Sequence, residues 1–318
     1  MKVHLAERNR FGYAFCMHSI PEYPGSSPLV LEHLDSVQPF LLANRDHISE
    51  LSMASLYPFT AKRDYRVFRY TKKDNSIAYG FIAKGTASEE MPLYAFLPAG
   101  YPGPKIIESL MKDVAQINTI GQQTLPSWEQ GVHSFHPELV IEEDRDNADY
   151  LYDRQSLVEL VGQALHKKLA HAQKFADDNP QRILVPARLC DDRDMLEVLH
   201  SWAEGKDTVE DLDSTALAIQ YRKELGMDGA VLYAKDKPVA FTLGEADGQN
   251  RFIIHIEKAV PGYRGVYQYI NRAFAASLPE SIIEINREQD LGIPGLRQAK
   301  LTYKPSSYVM KYKIRKTL

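Results

Sequence analysis

One order of elements, read twice along the chain, constrains the fold most. In the first half, hydrophobic periodicity predicts a short strand at 29–31 and helices at 35–44 and 47–57, then strand-like runs at 66–70, 77–83 and 93–97. An amphipathic helix is expected at 105–117, with Ile106, Leu110, Val114 and Ile117 on one face. A mixed segment then leads to a run at 139–141. The second half repeats the order without repeating the residues. Asp153 and Ser156 compete to cap a helix, Ser156 with Glu159 as a capping box. That helix carries the stripe Leu157, Val161, Leu165, Leu169, Ala172 and Ala176. Helices follow at 192–204 and 213–225, the second closed by Gly226. A hairpin of 230–234 and 239–245 turns at Asp236-Lys237, and 251–259 extends the meander. A helix (266–277), a strand (281–287), a helix (292–300) and an alternating strand (307–314) complete the half.

Helices, a three-strand meander, helix, strand, helix and strand is the order of the GNAT acyltransferase fold. Its repetition predicts an α+β chain of two tandem GNAT-like domains, each a mixed, mainly antiparallel sheet flanked by helices. The expected divisions are an irregular leader at 1–28, an N-terminal domain at 29–141 and a C-terminal domain at 142–318 that carries the site. A length of 318 residues accommodates two such domains. The net charge of −4 supplies no bulk attraction to nucleic acid or membrane. Two cysteines, Cys16 and Cys190, make no disulfide framework, so a reducing cytoplasm is expected. No apolar run reaches the roughly 18 residues of a membrane span, so stable membrane insertion is not expected. The sequence contains no P-loop, GxGxxG, GxSxG or HExxH, which removes several enzyme classes.

Four segments carry candidate chemistry. The run 285–300 places Asn286, Arg287, Glu288 and Asp290 at the end of an apolar strand, where charge is costly unless exposed, paired or used. In the meander strand 252–259, alternation puts His255 and Glu257 on one face with Ile253, opposite Phe252, Ile254 and Ile256. An imidazole beside a carboxylate suits proton acceptance from an amine or hydroxyl; the alternative is a polar outer face. Gly262, Arg264 and Gly265 precede a helix whose first amides suit an anion, unless they form an ordinary glycine turn. Lys167, His171 and Lys174 share a helix face that fits phosphate, or else a solvated surface. The acidic run 142–150 lacks EF-hand spacing and His133 with His136 lacks further ligands, so no metal is expected.

Taken together, the segments resemble a bacterial family of soluble proteins related to the C-terminal domain of phosphatidylglycerol lysyltransferases. The matching pieces are Glu142-Glu143-Asp144-Arg145-Asp146-Asn147-Ala148-Asp149-Tyr150-Leu151-Tyr152, then Leu165-His166-Lys167-Lys168-Leu169 with His171 and Lys174-Phe175. They continue with 240–245, 254–259, Tyr267-Gln268-Tyr269-Ile270-Asn271, the run 286–300 and Tyr303-Lys304-Pro305, covering about 142–305. Ser49-Glu50-Leu51 followed by Leu56-Tyr57 faintly extends the match into the first half.

The resemblance implies a tandem GNAT-like transferase of acyl or aminoacyl groups, without the multi-span membrane domain of full lysyltransferases. Acyl-CoA or aminoacyl-tRNA would be the co-substrate, with no permanently bound cofactor. Glu257 with His255 would take the nucleophile's proton, and strand amides would hold the oxyanion. Gly262, Arg264, Gly265, Lys167 and Lys174 would bind donor phosphates. Asn286, Arg287, Asp290, Arg297 and Lys300 would shape the pocket of a small-molecule or lipid head-group acceptor. Two rivals stand beside this reading. One is a non-catalytic GNAT-like module for a small molecule or acyl carrier, favoured if no cleft opens at Glu257, Asn286 and Arg287. The other binds RNA through the basic helix and a tail of Lys311, Lys313, Arg315 and Lys316 forming one patch.

Overall fold

A computed structural model describes residues 19–85, 92–206 and 210–317; residues 1–18 of the expected leader lie outside it. Among the described residues, fourteen strands form two seven-stranded sheets. The first half supplies β1 (Ser27–Pro28), β2 (Arg66–Thr71), β3 (Ile77–Lys84), β4 (Leu93–Phe96), β5 (Gln116–Gly121) and β6 (Leu139–Glu143). The second supplies β7 (Asp149–Asp153), β8 (Ile183–Pro186), β9 (Asp228–Ala234), β10 (Lys237–Ala246), β11 (Arg251–Ala259), β12 (Glu284–Asn286), β13 (Ser307–Val309) and β14 (Lys311–Lys316).

The sheet orders are β1-β2-β3-β4-β5-β14-β6 and β13-β7-β12-β11-β10-β9-β8. In each, an antiparallel meander ends in a strand that pairs parallel with the next, β4 with β5 and β11 with β12. The tandem arrangement is therefore present. The single strand expected at 307–314 is two: β13 pairs with β7 in the second sheet, and β14 crosses to pair with β5 and β6 in the first. The slot between β12 and β13 holds β7, and the matching slot between β5 and β6 holds β14. Three of the four basic residues of β14 are paired there, and Lys316 is exposed. Lys311 meets Asp149 and Glu50, Lys313 meets Asp144, and Arg315 meets Glu142. The cationic tail required for RNA binding is thus largely neutralised.

The largest core cluster lies between the sheets and joins the halves, with Leu41, Met53, Phe81 and Phe96 against Met195, Leu199, Phe241 and Leu243. Helix Pro104–Asp113 covers the outer face of the first sheet through Ile107, Leu110 and Met111. Helix Val266–Ser277 covers the outer face of the second, burying Val266, Ile270 and Phe274. The β9–β10 hairpin turns at Lys235 and Asp236, both with positive φ (51° and 61°), one residue earlier than expected. No helix among the described residues is long and apolar enough to cross a membrane.

Candidate functional site

The site is built where β11 and β12 part. They pair only over 251–253 against 284–286, while β11 runs on to Ala259. Beyond that point Arg287 faces Glu257, its Nη2 donating to Glu257 Oε1 at 3.1 Å. Their side chains are 17% and 11% exposed, so the pair is largely buried. The Arg287 guanidinium lies 5.0 Å from the centre of the Tyr303 ring, and Lys168 Nζ lies 4.4 Å from the same ring. Lys300 Nζ donates to the carbonyls of Arg287 and Glu288. Burial, then the adjacent Arg287 charge, pushes the Lys300 ammonium down to about 8, and the same two causes lower Lys168. Burial lifts the Tyr303 phenol to about 12. Lys168 and Tyr303 belong to segments that matched by resemblance, but helical spacing had directed attention to Lys167 and Lys174 instead.

His255 does not share the face of Glu257. The register passes from Gly244↔Ile254 to Leu243↔Ile256, leaving His255 as the extra residue of a bulge. One extra residue reverses the alternation. Phe252 and Ile254 pack into the outer core, whereas Ile256 packs inward against the joint core. His255 lies between two carboxylates, with Nδ1 2.7 Å from Glu288 Oε1 and Nε2 3.0 Å from Glu245 Oε1. Only an imidazolium satisfies both acceptors. Burial alone would lower its pKa, but hydrogen bonds and charge from Glu245 and Glu288 raise it to about 10. A ring already carrying both protons cannot accept another, so the expected pairing of His255 with Glu257 as base is corrected. His255 instead fixes Glu288, the neighbour of Arg287. A cue was present: Gly244 lies inside the strand pattern, a common mark of a bulge. A Cβ there would come 1.9 Å from the Ile253 carbonyl oxygen.

The residues expected to line an acceptor pocket fall into three groups. Asn286 is fully buried and donates to Asp149 Oδ2 at 3.1 Å. Asp149 also accepts from Lys311 Nζ at 2.7 Å and Ser49 Oγ at 2.9 Å, so this network ties the halves together. Asp290 is fully buried and receives Arg297 Nε and Nη2 at 2.9 and 2.8 Å, the Tyr150 hydroxyl at 2.5 Å and the Gly292 amide at 2.9 Å. Burial would raise its pKa, but these bonds hold it at about 2. Arg297 also donates to Asp146 at 2.5 Å. Asp290 and Arg297 therefore fasten the 287–293 loop to the turn Arg145–Asn147. Arg287 and Lys300 alone of the five reach the Glu257 cluster.

The proposed phosphate residues lie at the start of helix Val266–Ser277. Gly262 and Gly265 have φ of 92° and 82°. A Cβ on Gly265 would come 2.0 Å from the His171 carbonyl oxygen, so the helix start presses on helix His166–Asp178. Arg264 and Lys167 are exposed and form no ion pair among the described residues. Lys174 pairs with Asp178 at 2.5 Å and is neutralised. On the inner face of the second sheet, between the halves, lies a cavity of about 390 Å³ lined by Asp35, Gln38, Leu42, Glu224 and Glu245. Glu257, Asn286 and Arg287 do not line it.

The fold is the tandem GNAT-like one, and known proteins share it. A conserved protein of unknown function from Bacteroides thetaiotaomicron is 25% identical, with a TM-score of 0.73 over 92% of this chain and 99% of that one. The C-terminal domain of a putative lysylphosphatidylglycerol synthetase from Agrobacterium fabrum is 14% identical, with a TM-score of 0.60 over 90% and 91%. An uncharacterised protein of Mycoplasmoides gallisepticum is 25% identical over 174 residues, 53% of this chain; the chain spans 56% of that curated relative. The sequence pattern of the family described as "Phosphatidylglycerol lysyltransferase, C-terminal" matches residues 44–315, and the chain belongs to that family.

Proposed function

We propose that this protein moves an acyl or aminoacyl group from an activated donor to an amine or hydroxyl acceptor, and does so in the cytoplasm. The donor is acyl-CoA or aminoacyl-tRNA, and the acceptor a small molecule or a lipid head group. The observation that carries this reading is the parting of β11 from β12, with Glu257 and Arg287 bonded to each other where the strands separate, beside the glycine-flanked helix start. Beyond Ile253, β11 no longer pairs with β12, so backbone amides on that edge are available to an oxyanion. Glu257 takes the nucleophile's proton directly or through water. Arg264 and Lys167, with the first amides of helix Val266–Ser277, hold donor phosphates.

A thermal-shift titration with coenzyme A, acetyl-CoA and charged tRNA tests the donor. A ligand bound only by the folded state raises apparent stability by about 2.7 kcal/mol at a hundredfold excess over its dissociation constant. Turnover with the donor so found should fall roughly 100-fold or more in Glu257→Gln, assayed well below the variant's own melting temperature because Arg287 loses its partner. Undiminished turnover in that variant would refute the assignment.

The inner cavity motivates a second reading, a non-catalytic module that holds a small molecule between the halves. Ligand binding that is lost in Glu224→Gln but untouched in Glu257→Gln would favour it.

A further inference from the structure

Two buried polar atoms beside Glu257 have no hydrogen-bond partner among the described residues. Thr242 stands opposite Glu257 across the β10–β11 ladder. Its neighbours Phe241 and Leu243 pack inward, and Ala240 packs outward with Ala259 and Ile270, so Thr242 faces the outer layer. Its hydroxyl is fully buried and unpaired. Asn271, on helix Val266–Ser277, is 1% exposed. Its Nδ2 lies 3.5 Å from Glu257 Oε2, while its Oδ1 is unpaired. Buried polar atoms nearly always find partners, and leaving one unmade is costly. Two such atoms flanking one carboxylate describe a receptor rather than a packing fault.

The chemistry of the missing partner follows from what is already there. The Glu257 carboxylate offers about four lone-pair sites, of which Arg287 and Asn271 occupy two at most. Asn271 Oδ1 can only accept, and the Thr242 hydroxyl has a single proton to give. The cluster is short of donors. Arg287, with Lys168 and Lys300 close by, already supplies positive charge and disfavours an ammonium ion. The partner is therefore a neutral group bearing N–H or O–H.

We infer that Thr242, Asn271 and Glu257 together seat the nucleophilic N–H or O–H of the acceptor, and that a water holds this place when no acceptor is bound. The inference deepens the transferase reading and rests on it for the word acceptor. In this seat the nucleophile's lone pair points to the donor carbonyl. The new C–N or C–O bond forms as the donor's C–S or C–O bond breaks. The proton goes to Glu257, which returns it to the departing thiolate or alkoxide.

A high-resolution crystal structure of the full chain without substrate is the first test. It should show an ordered water bonded to Thr242 Oγ1 and Asn271 Oδ1 within reach of Glu257. A dry cluster, with the hydroxyl and amide turned onto each other, overturns the inference. Thr242→Val keeps the shape and removes the hydroxyl. It should lose the water, keep the melting temperature of the wild type or exceed it, and raise the acceptor KM about 10-fold with little change in donor KM. A higher melting temperature with both KM values unchanged would mean an ordinary unsatisfied core group, and would also overturn it. Should the wild type show no turnover with any donor, the transferase reading falls, and the water test still decides whether this seat exists.

Discussion

A histidine held between two carboxylates makes stability depend on pH in a direction that can be stated. The folded-state pKa of His255, about 10, lies above its ordinary value of 6.5. Its contribution is therefore complete below about 6.5 and is lost as pH rises through about 10. The melting temperature of the wild type should decline across that window. His255→Gln should be less stable by about 3 kcal/mol at neutral pH, because Glu245 and Glu288 lose their partner, and should show a flatter decline. An equally steep decline in the variant would locate the titration elsewhere. At this scale the sequence was partly legible. Glu257 and Arg287 stood out as charges on apolar strands, and they do meet. Their relation to His255 was misread because a strict alternation cannot register an extra residue, and Gly244 was the one local sign of it. Asn286 and Asp290 looked exposed for use because their partners, Asp149 and Tyr150, lie far away in sequence.

Among elements, periodicity found those whose apolar stripe is continuous and blurred those that abut. Helix Val266–Ser277 and strand Arg251–Ala259 were expected within a residue of where they lie. The stripe from Leu157 to Ala176 is two helices, Arg154–Glu159 and His166–Asp178, parted by Leu160 at φ 51° and Gly162 at φ 89°. Asp153 is the N-cap, accepting from the Ser156 amide at 2.7 Å. The helix expected at 105–117 ends at Asp113, because Val114 is extended and leads into β5. The contact between the helix start at Gly265 and His171 is a second test. Gly265→Ala adds a methyl 2.0 Å from a carbonyl oxygen at a positive φ, and should cost about 2 kcal/mol or more and weaken coenzyme A binding wherever that occurs. Gly262→Ala meets nothing within 4 Å and should cost about 1 kcal/mol, the backbone strain alone. Equal losses in the two variants, read by thermal melts, would refute the close packing at Gly265.

At the scale of the whole molecule, the repeated element order was visible because each half writes it locally. The crossing of β14 was not, because nothing in an alternating strand states which of two similar slots it fills. Shared strands and a joint core predict one cooperative transition by calorimetry, not two. Lys311→Met should lower stability by about 3–5 kcal/mol, because buried Asp149 and its partner Glu50 lose their cation. Deleting residues 311–317 should unfold the first sheet, measurable as lost protection of β5 and β6 amides in hydrogen exchange. Persistent protection of those amides would rule out β14 as the strand that closes the sheet.

The same crossing sets a timetable for synthesis. A first domain ordinarily folds as soon as it clears the ribosome. Here β5 and β6 emerge early with an empty place between them, and the strand that fills it is translated after the entire second sheet. The half made first is the half finished last, and during the interval the nascent chain carries two strand edges open to pairing with neighbouring chains.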